Sequence, residues 1–207
     1  MATKFGEELM EQRLELVTLA RDLHADGRLS DMDMAKVVKT PAVRVHPLVF
    51  LAEQKLDDAA IPGKQLEMDE LLSWLGDKVG QSVYEIDPLK INVTAIAEVM
   101  SRAFAERHRI LAVEVTDKEV VIASSEPFLR AWEGNLEHVL RKRVRRVLTD
   151  PRAIARHTAE FYNMAGSVNR ARGAERSESG AGVTNLEQML ELGSMKEPDA
   201  NDQHIVN

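Results

Sequence analysis

Ile110-Leu111-Ala112-Val113-Glu114-Val115, then Thr116-Asp117-Lys118, then Glu119-Val120-Val121-Ile122-Ala123: this stretch decides the fold. Two runs rich in β-branched residues, separated by a short polar turn, predict a β-hairpin. On both sides of it the periodicity becomes helical. Upstream, Val93, Ile96, Ala97, Met100 and Phe104 share one face of a predicted helix. Asn92 suits its N-cap, because an Asn oxygen can accept a free N–H of the first turn. Val83, Tyr84 and Ile86 predict a short strand before it, and Asp87-Pro88 turns the chain between the two. Downstream, Ser125 is expected to cap a helix with Pro127 in its first turn, where a missing N–H costs nothing. The stripe of that helix is Leu129, Trp132, Leu136, Val139 and Leu140. Val144 to Leu148 predict a further strand, and Asp150-Pro151 open a last helix with Ile154, Ala155, Thr158, Phe161 and Tyr162 on one face. A helix near 67–78, carrying Leu71, Leu72 and Leu75, precedes all of this and stops at Gly76 or Gly80. The expected class is α+β: a small sheet in β-α-β-β-α-β order, covered by helices.

Three segments follow from this reading. Residues 1–65 are expected to be a helical subdomain, with Leu9, Met10, Leu16, Val17, Ala20 and Leu23 striping its first helix. Gly27 can take the left-handed conformation that ends it, and Ser30 can cap the next helix with Asp33 in the first turn. Pro41 and His46-Pro47 bracket a break, Leu48, Leu51, Ala52 and Leu56 resume helical spacing, and Ala60-Ile61-Pro62-Gly63 is a turn. Residues 66–168 are the α+β domain. Residues 169–207 read as a flexible linker, because Arg170 to Gly182 offer almost nothing to bury. Its short apolar island, Leu186, Met189, Leu190 and Leu192, needs a partner surface to fold.

Composition narrows the function. The 207 residues include 44% hydrophobic but only 4% aromatic residues, so the core must be aliphatic. Without cysteine there is no disulfide, thiol chemistry or cysteine-type metal site. No apolar run approaches the roughly 20 residues of a membrane helix, and the expected location is cytoplasmic. A net charge of -7 argues against general binding to nucleic acid or anionic lipid.

Catalytic chemistry is hard to find. The sole Gly-Lys pair, Gly63-Lys64, is followed by Gln65 and lacks the spaced glycine and the Ser/Thr that a phosphate loop requires. The six histidines, His24, His46, His108, His138, His157 and His204, are scattered without metal-ligand spacing and are expected at surfaces or helix ends. Asp31/Asp33 and Asp57/Asp58 read as caps or solvated charges, and Asp87 as a turn-former. No catalytic, cofactor-binding or metal-binding residue is assigned, and the partner-binding residues are left open. The cluster Arg141-Lys142-Arg143-Val144-Arg145-Arg146 could meet phosphates. With no aromatic interleaved for base stacking, it reads better as the basic end of a helix followed by an edge strand.

Several of these pieces carry a family resemblance. Ile86-Asp87-Pro88-Leu89-Lys90-Ile91-Asn92, Ser101 with Ala105 and Arg107, Ile110-Leu111 and Val113, Ser125-Glu126-Pro127, Trp132, and Glu160 to Val168 occur in order. Together they resemble the N-terminal domain of the type II secretion E-protein and type IV pilus assembly ATPases, best over residues 68–171. Asn201 to Asn207 resemble the start of that family's ATPase region. The resemblance implies a hexameric ATPase using ATP and magnesium in a domain beyond this chain. It implies a noncatalytic docking or regulatory role for this part, which would bind the cytoplasmic domain of an inner-membrane platform protein, the L-type secretion protein or its pilus counterpart, and so be peripheral at the inner membrane. The alternative is a cyclic di-GMP-responsive domain, since some relatives bind that dinucleotide through an R-L-G-x-x-L-x-x-x-G type helix motif. Here Leu19-Ala20-Arg21-Asp22-Leu23-His24-Ala25-Asp26-Gly27 keeps the Leu and the final Gly, but Ala20 and Arg21 depart from the Arg-Leu-Gly opening and no clear second copy follows.

Overall fold

A computed structural model describes residues 12–40 and 44–175. The elements run α1 (Leu16–Ala25), α2 (Asp31–Val38), α3 (Pro47–Glu53), α4 (Met68–Val79), α5 (Val93–Ala97), α6 (Arg102–His108), β1 (Ile110–Val115), β2 (Glu119–Ser124), α7 (Ala131–Leu140), β3 (Arg143–Leu148) and α8 (Pro151–Glu175), with a 3-10 turn at Pro88–Lys90.

The hairpin is where the sequence places it. β1 and β2 pair antiparallel from Ile110↔Ser124 to Val115↔Val120, with a bulge between Ala112 and Glu114. β2 then pairs parallel with β3, from Glu119↔Arg143 to Ser124↔Leu148, and α7 makes the crossover. Being central, β2 buries Val120 to Ser124 without alternation, which is why it reads as a continuous apolar run. α5, α6 and α8 pack on this sheet. Ile96, Met100, Leu111, Ile122, Trp132, Leu136, Ile154 and Phe161 are among the buried residues of the resulting core.

Three expected elements differ. The strand at Val83–Ile86 reduces to a single parallel bridge, Val83 to Leu148, held by Tyr84 N–H to the Leu148 carbonyl (2.7 Å) and Leu148 N–H to the Ser82 carbonyl (2.8 Å). Among the described residues the sheet therefore has three strands in the order β1-β2-β3 rather than four. The partner strand β3 ends at Leu148 and Pro151 opens α8 just beyond it, so the parallel pairing cannot continue. The helix after Asn92 breaks into two. Asn92 does cap α5, accepting from Ala95 N–H (3.1 Å), but Ser101 caps a separate α6 by accepting from Phe104 N–H (3.1 Å). Between them the Met100 carbonyl accepts from the Tyr162 hydroxyl (2.8 Å) instead of from a helical N–H. Burial raises the ionisation of that phenol well above the ordinary value. Finally, α7 begins at Ala131 rather than at Ser125. The Pro127 carbonyl accepts from Arg146 (2.8 Å) and Gln81 (3.5 Å), and segment 125–130 is a loop anchored by remote groups.

The helical part follows its local signals. Gly27 is left-handed (φ 71°), with Arg28 N–H to the Leu23 carbonyl (2.8 Å) and Gly27 N–H to the His24 carbonyl (3.0 Å), a Schellman close. Ser30 caps α2 by accepting from Asp33 N–H (3.1 Å). His46 caps α3, its Nδ1 accepting from Leu48 N–H (3.3 Å), with Pro47 at the first helical position. The expected turn at 60–63 is present, with Gly63 at φ 80°. α4 runs through Gly76 and stops at Gly80, left-handed at φ 66°. Gly76 allows a close approach: a β-carbon there would stand 2.7 Å from the Gln81 carbonyl oxygen. Leu19, Leu23, Leu48, Leu51, Leu71 and Leu75 form the second core, and Leu148 from β3 belongs to it. Leu9, Met10 and Pro41 lie outside the described residues, as does the island at 186–192. α8 continues past 168 to Glu175.

Candidate functional site

The two cores meet along a seam, and the Ser124-Ser125-Glu126-Pro127 segment runs through it. Ser124 ends β2 and its hydroxyl accepts from Glu126 N–H (3.0 Å), which aims the Glu126 side chain away from the sheet and into the helical part. That carboxylate is 3% exposed and accepts from the backbone N–H of Leu14 (2.8 Å), 112 residues away in sequence. Its other oxygen stands 3.4 Å from His46 Nε2, with both side chains buried. Because His46 Nδ1 accepts from Leu48, the ring proton sits on Nε2 and faces Glu126. A buried carboxylate is tolerated only with such donors. Glu126 thus clasps the chain before α1 and the cap of α3 onto the end of β2.

On one side of this clasp lies a cleft of about 410 Å³, lined by residues that include Arg13, Thr18, Asp22, Lys78, Gln81, Phe128, Arg130 and Arg146. Arg146 is nearly buried there, donating to the Pro127 carbonyl and standing 3.3 Å from Glu133. Burial pulls its guanidinium below the ordinary arginine range, neighbouring Arg130 adds to this, and Glu133 opposes it. Arg130 in turn holds Glu133 through two bonds (2.9 and 3.2 Å). Lys78 and Trp74 Nε1 both donate to Asp26 (2.8 Å each), and those two bonds hold the Asp26 carboxyl below its usual range. The Gln81 side-chain oxygen is buried without a partner.

The basic cluster at 141–146 is dispersed by the fold. Arg141 closes α7 in a left-handed conformation, and Lys142 donates to the Thr116 carbonyl (2.7 Å). Arg143 and Arg145 both grip Glu119 (2.7 and 2.9 Å), and Arg146 turns into the seam. Hydrogen bonds from Arg145 and Arg143 lower the Glu119 carboxyl. What the sequence presents as one patch becomes four separate tasks.

The histidines divide in the same way. His24 meets Asp31 (2.7 Å), and His108 stacks near Phe104, where burial and then Arg107 lower its protonation. His46 sits at a helix end as expected, with its side chain buried, whereas His157 is buried within α8; its Nδ1 meets Glu160 (2.8 Å) and its ring stacks on Phe161. Among the described residues no group of three or more His, Asp or Glu side chains could hold a metal ion, and no helix is long and apolar enough to cross a membrane. Asp87 forms the expected turn, accepting from Leu89 N–H (3.1 Å), and that bond with the Lys90 contact lowers its carboxyl. The turn lifts Leu89 out of the fold entirely, 96% exposed.

Residues 79–168, from the end of α4 into α8, match the MshEN domain family. Over that span the chain resembles an MshEN domain. Over 189 residues it is 38% identical to the type IV pilus assembly ATPase TfpB of Acinetobacter baylyi, an alignment that covers 87% of this chain and 32% of that protein. The chain therefore spans about a third of the length of this curated relative. It resembles the N-terminal part of the secretion and pilus assembly ATPases. A solved structure of MshE with cdg aligns over 72% of this chain and all of the other, at 14% identity and a TM-score of 0.42, too distant a likeness to transfer a site.

Glu126 and Arg146 are the residues whose importance the sequence understates. Their signal was present, since a Glu followed by Pro at the end of an apolar strand and an Arg inside one are both unusual, but their partners lie far along the chain.

Proposed function

We propose that this chain is a noncatalytic docking and regulatory module of a type IV pilus or type II secretion assembly ATPase. Its partner in this reading is the cytoplasmic domain of an inner-membrane platform protein, which would place it peripherally at that membrane. Leu89 carries the reading. It sits in the Ile86–Asn92 signature at 96% exposure, where a leucine does nothing for the fold and an apolar partner surface would cover it. Met32 (66% exposed) and Val38 (47% exposed) on α2 add apolar contact area on the helical part. The 207 residues contain no phosphate loop, so ATP and magnesium belong to a separate domain of the full-length protein, which by resemblance is hexameric. The test is a pull-down with the platform protein's cytoplasmic domain and full-length ATPase as positive control. Binding by the chain, with loss in Leu89→Asp at unchanged melting temperature, is the expected result. Absence of binding while the control binds would overturn the reading.

A second reading, a cyclic di-GMP-responsive domain, is favoured by one observation. Arg13, Lys78, Arg130 and Arg146 converge on the cleft at the seam, and Asp22 and Leu19 of the motif-like helix line it too. Cationic side chains around a concave site suit a bisphosphate. Calorimetry with the dinucleotide decides it: heat that disappears in Arg13→Ala supports the reading, and silence at high micromolar ligand ends it.

A further inference from the structure

The cationic cleft at the seam has an apolar floor that the described residues leave half-open. Leu14 and Leu75 are buried there, while Val79 and Phe128 pack on the helical core with only part of their surface covered. Around this floor stand Arg13, Lys78, Arg130 and Arg146, against two lining acids, Glu15 and Asp22. Lys78 is paired with Asp26, but Arg130 and Arg146 share the single carboxylate of Glu133 (2.9 and 3.3 Å). One positive charge is therefore left over at that end of the cleft. Burial first and the charge of Arg130 second hold the Arg146 guanidinium below its ordinary range, as crowding of two cations requires. An occupant that suits both features presents apolar side chains to the floor and carboxylates to the rim.

The chain supplies such a segment at the edge of the cleft. Phe5-Gly6-Glu7-Glu8-Leu9-Met10-Glu11 carries three large apolar side chains and three carboxylates, and it runs directly into Gln12, Arg13 and Leu14, which line the cleft. The entry point is fixed, because Glu126 holds the Leu14 N–H (2.8 Å) and Glu15 is extended (φ -105°, ψ 137°). α1 begins only at Leu16, so the apolar stripe from Leu9 to Leu23 is not one continuous helix. Leu9 and Met10 consequently need a surface other than the one that α1 buries. We propose that residues 5–11 fold back over the cleft as a built-in plug. Phe5, Leu9 and Met10 cover Val79 and Phe128, and Glu7, Glu8 and Glu11 meet Arg13 and Arg130. Seven extended residues reach about 23 Å, enough to cross the cleft from its own rim. Because the plug is tethered beside its site, weak contacts suffice to keep it there. The plug does not rest on the dinucleotide reading, but any anionic ligand of this cleft must displace it.

The experiment compares the full chain with a Phe5→Ser, Leu9→Ser, Met10→Ser variant by NMR, with an uncharged gadolinium chelate in the solvent to broaden the resonances it can approach. The Val79 methyls and Phe128 ring protons are expected to be protected in the parent and broadened several-fold more in the variant, while the Leu23 and Ile122 methyls of the two cores stay unchanged. A second variant, Glu7→Lys, Glu8→Lys, Glu11→Lys, keeps the apolar anchors and should expose the same groups, and high salt should weaken the protection of the parent. Equal protection in the parent and either variant overturns the plug. Protection that fades on dilution assigns the cover to a second copy of the chain and overturns it too. Protection that survives dilution and is lost in both variants supports it. No dinucleotide is present in these measurements, so the outcome is independent of whether the cleft binds one.

Discussion

The helical part and the α+β part of this chain bury similar aliphatic side chains, yet they are tied together by different means. In the α+β part the backbone itself does the tying, through a three-strand ladder and the long α8 laid across it. Among the described residues the helical part has no strand ladder, only a single antiparallel bridge between Asp57 and Gln65. Its short helices are joined by side-chain bonds: Arg28 Nε donates to the buried Asp58 (2.8 Å), Lys78 and Trp74 converge on Asp26, and Lys64 meets Glu70 (2.7 Å). Helices of seven to twelve residues are marginal by themselves, so tertiary contacts must hold them. The lesson lies in what the sheet lends: Leu148 fills the helical core and Glu126 clasps its chain. The helical part depends on the sheet more than the sheet depends on it.

That asymmetry can be broken experimentally. The largest effect is expected from Leu148→Ala, which removes a fully buried side chain where the two cores meet. It should cost about 3 kcal/mol, with the helical signal melting ahead of the sheet signal in thermal unfolding followed at two probes. A single coincident transition would mean the two parts are one cooperative unit. Glu126→Ala comes next, at about 2 kcal/mol, because it leaves the buried Leu14 N–H unmet. Here hydrogen exchange should accelerate in α1 and α3 and stay unchanged in β1 and β2.

Acid sharpens the comparison further. Burial works to raise the Asp58 carboxyl, but bonds from Arg28 and from the Ala60 and Ile61 backbone win, and it lies below its ordinary 3.8. A carboxyl depressed by folding contributes stability above its unfolded value and loses it as pH falls through the folded one. The helical part should therefore unfold first below about pH 3.8, and Asp58→Asn should flatten that acid limb while lowering neutral-pH stability. Circular dichroism against pH checks it. The smallest effect is expected at the sheet's basic edge: Arg143→Ala, on a side chain 78% exposed, should leave the melting temperature unchanged.

How much of this was legible in the sequence follows from distance along the chain. The hairpin, the Gly27 close, the Ser30 and Asn92 caps and the Asp87 turn are each decided within a few residues, and each is present. The misplacements share another cause. Ser125 and Pro127 carry local helix-start chemistry, but Leu14, Gln81 and Arg146 claim this loop's acceptors, and helix formation waits until Ala131. The stripe from Val93 to Phe104 is continuous in sequence, while Tyr162 claims the Met100 carbonyl and splits it. The seam was invisible for the same reason, since Glu126 and Leu14 are 112 residues apart. The basic run at 141–146 was legible as the end of a helix and an edge strand, since Arg141 closes α7 and Arg143 and Arg145 lie exposed on β3; only the turn of Arg146 into the seam depended on a distant partner.

α8 carries one more consequence. Among the residues whose burial is described, Ala165 is the last deeply buried one, yet the helix continues to Glu175. Ten further residues at about 1.5 Å each carry the helix axis roughly 15 Å beyond that side chain. A rod of that length is a lever arm: a rocking of the sheet by about 10° would swing its far end by nearly 3 Å, roughly the width of an atom. Small adjustments at the seam would thus be delivered, enlarged, to whatever the far end of α8 touches.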